Sequence, residues 1–236
     1  MQLFFNENLS SQDTDIQFSK EESKHIVKVL RKSTGDVVFI TNGKGYLFTA
    51  KITLAGINKC LATITSTEYQ NKEKHHIHLA VAPTKMNDRY EWFLEKATEI
   101  GIQEITPIIC DHSERKTVKI ERFKKIIQSA AKQSLQYHIP KLNDACSFKD
   151  FINLHKNNTC LIAHCEETDR KSLKRILSNS KGSNYILLIG PEGDFSTKEI
   201  ELALAYNYQP VTLGKTRLRT ETAAVIATHS IVYSLG

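Results

Sequence analysis

At 236 residues the chain is long enough for one large domain or two unequal ones, and 40% apolar with 25% charged residues is ordinary for a globular protein. Its apolar runs, such as Tyr185–Ile189, fall far short of the ~20 residues a membrane span needs, and Met1–Glu7 lacks the basic and apolar regions of a signal peptide. Five cysteines with no C-x-x-C spacing argue against a disulfide framework or a zinc knuckle, which makes the cytoplasm the expected compartment, and a net charge of +6 favours a polyanionic partner.

In chain order, Ser19 with Glu22 reads as a capping box for a short helix through His25–Arg31. Val37–Thr41 reads as a strand, Asn42-Gly43-Lys44-Gly45 as a turn, and Tyr46–Leu54 and Lys59–Thr67 as further strands. Such short strands with one small helix predict a compact barrel over residues 1–70. Gln70–Lys74 is polar and reads as a linker.

From residue 75 onward strands and helices alternate. Strands are expected at Ile77–Ala82, Ile105–Ile109, Leu161–Cys165, Tyr185–Ile189 and Val211–Leu213. Helices are expected from an Asp88/Glu91 cap to Ile100 with Gly101 closing it, and over Ile120–Gln136, Arg170–Asn179, Ser196–Tyr206 and Thr220–Ser234. Alternation predicts a mostly parallel sheet covered by helices on both faces. Glu114–Lys125 holds six basic residues against two acids, and reads either as a phosphate-backbone footprint or as a solvated helix face. His75-His76-x-His78 invites a metal reading, but no acidic or sulfur ligand is near in sequence, so a plain strand start and no metal are expected.

Ligands of open α/β sheets bind outside the carboxyl ends of strands. Two loops qualify: Leu188-Ile189-Gly190-Pro191-Glu192-Gly193-Asp194-Phe195, and Leu213-Gly214-Lys215-Thr216-Arg217-Leu218-Arg219-Thr220-Glu221-Thr222-Ala223. Neither is G-x-G-x-x-G, and a P-loop is excluded because Gln209 stands where its first glycine belongs.

Together the two loops resemble the hallmark of the RsmE family of the SPOUT superfamily, 16S rRNA (uracil-N3)-methyltransferases. Phe4-Phe5, His25-Ile26 with Val29-Leu30-Arg31, Lys85-Met86, Lys96-Ala97 with Glu99-Ile100-Gly101, Gln133-Ser134 and Ile139-Pro140 agree in the same order along nearly the whole chain. The resemblance implies an N-terminal PUA-like β-barrel (1–70, RNA-binding) and a C-terminal SPOUT α/β domain with a trefoil knot (75–236, donor-binding and dimerisation). It implies S-adenosylmethionine held by Ala163, Ile189, Gly190, Pro191, Glu192, Gly193, Leu213, Gly214, Leu218, Arg219 and Thr222. It also implies a cytoplasmic homodimer acting on 16S rRNA within the 30S subunit, at a uridine of the decoding region. Two departures stand out: Arg217 replaces an aliphatic residue, and Gln136 replaces an RNA-facing arginine.

Uracil N3 is protonated at neutral pH, so its methylation needs a base, a cation that stabilises the anion, or both. Arg219 is the candidate cation, or else a salt-bridge partner of Glu221. Glu221 or Glu192 is the candidate base, although a carboxylate in a first helical turn is favoured by the dipole anyway. Arg31, Lys85, Arg89, Arg115 and Lys116 are candidate RNA contacts. Two rivals make different predictions. A binding-only RNA protein would leave the two glycine loops unused, and a Rossmann-like enzyme would carry glycines after the first strand, where Pro83-Thr84-Lys85-Met86-Asn87 has none.

Overall fold

The computed structural model describes residues 1–154, 159–166, 169–179 and 183–235. It separates into two compact units, Met1–Lys72 with Ala131–Ile139, and Glu73–Ala130 with Pro140–Gly236.

The first unit contains β1 (Leu3–Phe5), β2 (Asp15–Gln17), α1 (Lys20–Lys24), β3 (Val37–Thr41), β4 (Tyr46–Ala55) and β5 (Cys60–Tyr69). The strands are paired in the order β1-β3-β4-β5-β2. With about 4.8 Å between neighbours, four steps of a flat sheet would set its edges roughly 19 Å apart. Yet Phe4 of β1 and Phe18, just after β2, have ring centroids 5.4 Å apart. The sheet therefore curls on itself around a core that includes Phe4, Ile16, Phe18, Ile26, Ile40 and Phe48. β1 and β2 escape a sequence reading because three residues are too few to show alternation.

Ser19 caps α1 by accepting from the Glu22 backbone N–H at 3.2 Å. The helix then widens into a π-helical turn over His25–Val29. It stops short of the expected Arg31, which takes a left-handed φ of 52°. The segment 131–139 completes this unit: Gly45 N–H donates to the Tyr137 carbonyl and Ile139 N–H to that of Gly43.

The second unit comprises β6 (His76–Val81), α2 (Asn87–Ile100), β7 (Glu104–Ile109), α3 (Ile120–Gln133), β8 (Lys141–Leu142), β9 (Cys146–Ser147) and α4 (Phe148–Leu154). It continues with β10 (Thr159–Ala163), β11 (Lys171–Ser172), α5 (Leu173–Asn179), β12 (Asn184–Ile189), α6 (Thr197–Ala205), β13 (Gln209–Thr212) and α7 (Thr220–Leu235). The sheet runs β11-β13-β10-β12-β6-β7-β8, with β9 also on β7. Its pairings are parallel. Strands covered on both faces read as continuous apolar runs, and Leu79–Val81 and Ile186–Leu188 are buried throughout.

Alternate residues divide between the two faces. Ala80, Ile162, Ile186 and Leu188 pack with Phe148 and Ile152 of α4 and Ile200 and Ala203 of α6. α7 lies against α2, α5, β6 and β12.

Two caps differ from expectation. α2 begins at Asn87 with Met86 as an N-cap that makes no side-chain bond, so Asp88 sits inside the first turn. Gly101 ends that helix at φ 108°, where L side chains are strained. α4 was not expected at all, yet the Ser147 hydroxyl accepts from Asp150 N–H at 3.1 Å, a Ser-x-x-Asp cap visible in the sequence. Among the described residues no helix is long and apolar enough to cross a membrane.

Candidate functional site

β10, β12 and β13 are neighbours, and their register pairs Ala163 with both Ile189 and Val211. The three carboxyl ends are therefore level. The loops leaving them enclose a cavity of about 620 Å³. Its walls include nine of the residues singled out from the sequence as donor contacts: Ala163; Ile189, Gly190, Pro191 and Glu192; and Leu213, Gly214, Leu218 and Arg219. Gly193, Glu221 and Thr222 are not among the lining residues.

Short polar contacts fix the loops. The buried Thr220 hydroxyl donates to the Gly190 carbonyl at 3.0 Å, latching the start of α7 to the end of β12. Asp194 takes a left-handed φ of 65°. One of its carboxylate oxygens accepts from Cys165 N–H at 2.6 Å and the other from Phe195 N–H at 2.9 Å, which ties the loop after β12 to the end of β10. A Cβ on Gly190 would lie 3.1 Å from the Phe195 ring, so a larger residue there would have to displace Phe195. A Cβ on Gly214 would meet nothing within 4 Å.

Capping geometry continues behind the loop. Ser196 and Glu199 form the expected capping box on α6. Glu199 also accepts from Asp111 N–H, and Ser196 donates to the Asp111 carboxylate at 2.6 Å. Nδ1 of His112 is 3.1 Å from the carbonyls of both Gly193 and Asp194. Two acceptors require that nitrogen to carry the proton.

The cavity wall is cationic. Arg170, Lys215, Arg217 and Arg219 line it, against Glu192 and Asp194. Burial holds the His164 imidazole below its usual pKa, with Asp194 opposing and Arg170 reinforcing the shift. Burial also pushes the Cys165 thiol up, and Asp194 adds to it. Arg170 stands at the start of an expected helix and carries no motif signal; β11 in fact precedes α5, and Arg170, just before β11, lines the cavity.

Most of the remaining candidates have partners within the second unit. Glu221 is buried beside Arg89, at 3.9 Å, and its Oε2 has no hydrogen-bond partner. The cation beside Glu221 is thus Arg89 rather than Arg219. Lys85 pairs with Glu114 at 2.8 Å, and that hydrogen bond and charge hold its ammonium above the usual pKa. The Arg115 guanidinium donates to the carbonyls of Thr84 and Lys85, while Lys85 N–H donates to Glu192. Arg122 pairs with Glu91 of α2 and Lys124 with Glu121, so the basic segment 114–125 is partly neutralised. Lys116 is exposed, as is Arg31 in the first unit. His76 contacts Glu104 at 3.2 Å and His78 contacts Thr106 at 2.7 Å.

Comparison with known proteins follows the same division. Residues 71–232 match an RNA methyltransferase domain, and residues 18–65 match an RNA methyltransferase PUA domain. A ribosomal RNA small subunit methyltransferase E of Rickettsia conorii is 31% identical over 95% of this chain and 92% of its own. A probable rRNA-methyltransferase from Porphyromonas gingivalis superposes with a TM-score of 0.90 at 36% identity, covering 100% of this chain and 98% of its own. A ribosomal RNA small subunit methyltransferase E from Neisseria gonorrhoeae, bound to S-adenosyl methionine, gives 0.85 at 25% identity, covering 97% and 95%.

Proposed function

Because the chain belongs to the ribosomal RNA small subunit methyltransferase E family, we propose that it transfers a methyl group from S-adenosylmethionine to N3 of a uridine in the decoding region of 16S rRNA, acting on the 30S subunit. The observation that carries this reading is the single cavity enclosed by the loops after β10, β12 and β13.

The residues present fit the donor. The cavity is large enough for a nucleoside with an amino-acid tail. The Gly214 backbone faces open space in which a ligand could approach without meeting a side chain. Ala163, Ile189–Glu192, Leu213, Gly214, Leu218 and Arg219, all on the cavity wall, are the contacts we assign to it, while Gly193 and Thr222 belong to the same two loops but do not line the cavity. Bound there, S-adenosylmethionine supplies an electrophilic methyl on a sulfonium, with the leaving group built in.

The protein's contribution is then orientation and charge. Aligning the acceptor nitrogen with the methyl accounts for several kcal/mol of barrier. Arg219, on the cavity wall, stabilises the negative charge that develops on the uracil carbonyls. The N3 proton needs an acceptor. Glu192, on the cavity wall, and Glu221, buried beside Arg89 just behind it, are the two candidates.

Arg31, Lys85, Arg89, Arg115 and Lys116 remain the candidate RNA contacts, with the PUA unit as a second RNA surface. The rest of the reading is a trefoil-knotted second domain, a homodimer and a cytoplasmic location. Exposed Ile226 and Tyr233 on α7 favour a covered helix face in a dimer.

The test is reverse transcription across 16S rRNA from cells with and without the gene. N3 methylation blocks Watson–Crick pairing, so a stop should appear with the gene, vanish in the deletion and return on complementation. A stop that persists in the deletion would refute the assignment.

A further inference from the structure

Resting on the reading above, we infer that Arg170 and Arg217 form a clamp for RNA phosphate at the rim of the donor cavity, holding the target nucleotide by its backbone. The argument begins with charge. A donor with a sulfonium, an ammonium and a carboxylate is itself a net cation. A wall made for it alone should be neutral or acidic, yet four cations line this cavity against two carboxylates. One of those carboxylates, Asp194, already accepts from two backbone N–H groups. The cationic excess fits the second substrate, a polyanion.

Placement separates the three arginines. Arg219 is assigned to the uracil carbonyls. Arg170 and Arg217 line the cavity together with Cys165, just past the end of β10. They come from chain segments almost fifty residues apart, so their convergence is a product of the fold. The Arg170 guanidinium is anchored by donating to the His164 carbonyl at 2.5 Å. That leaves donors of its planar fork to meet a second acceptor, and guanidinium suits bidentate phosphate contacts. Arg217 is exposed at the rim, on the loop between β13 and α7.

The experiment compares wild type with Arg170→Gln and Arg217→Val. S-adenosylmethionine binding is measured by calorimetry, and binding to 30S subunits from the deletion strain is measured across a salt series. We expect unchanged donor affinity, 30S binding weaker by about tenfold, and a salt slope shallower by about 0.7–0.9 for each arginine removed. Arg217→Lys, which keeps the charge, should restore the slope. An unchanged slope, or a donor affinity that falls with the 30S affinity, overturns the clamp. Wild-type protein that binds no donor, or leaves 16S rRNA unmodified, instead refutes the function on which the clamp rests.

Discussion

Gly214 and Thr220 carry opposite duties at the cavity. A Cβ on Gly214 would touch no protein atom within 4 Å. Gly214→Ala should therefore leave the thermal midpoint unchanged while weakening S-adenosylmethionine binding by tenfold or more, read by calorimetry. Equal affinity would mean that the donor does not approach this backbone. Thr220 acts within the protein. Replacing it with valine keeps the shape but leaves the buried Gly190 carbonyl without its donor. We expect a loss of about 1–3 kcal/mol in urea unfolding, because an unsatisfied buried group bears its desolvation penalty. At this scale the sequence was legible only where a residue belonged to a motif. Gly190 and Gly214 were identified from their loops. Arg170 was not, because its approach to the cavity depends on the short β11 that no periodicity announces. Glu221 was assigned a chemical role from its position in the loop, and nothing in the sequence indicated that it is buried beside Arg89.

Among the elements, the sheet holds a half-buried carboxylate whose titration should be visible. Glu104 at the start of β7 is pushed up by burial, but hydrogen bonds from His76, Asn143 and Lys141 outweigh this and hold it well below the ordinary value of 4.5. Since the folded-state pKa lies below the unfolded one, its contribution to stability is present above about pH 4.5 and is lost as pH falls further. Urea unfolding followed from neutral to acid pH should show that loss in wild type. Glu104→Gln should be less stable by about 1–3 kcal/mol at neutral pH and flatter in the acid limb. Parallel curves for the two proteins would contradict the assignment. Long elements were readable because their period repeats. Val37–Thr41 and the capping box at Ser196 stand where the sequence puts them. Short ones were not, since β8, β9 and β11 have two residues each and are defined by their neighbours.

For the whole molecule, the alternating pattern after residue 75 dictates a parallel sheet because only crossover helices can return the chain for the next parallel strand. It does not dictate the order β13-β10-β12, which brings three distant loops level. The family resemblance names the loop residues that converge but carries no strand order, and no reading of hydrophobic period could supply one. Residues 131–139 belong with the first unit for a similar reason, through backbone bonds to Gly43 and Gly45 that a linear reading assigns to no partner. The most direct measurement is a crystal structure of the protein grown with S-adenosylmethionine. Density for the donor between Ile189–Glu192 and Leu213–Arg219, against the end of β10, is the predicted result. Donor density at any other site, with those loops apart, would contradict it.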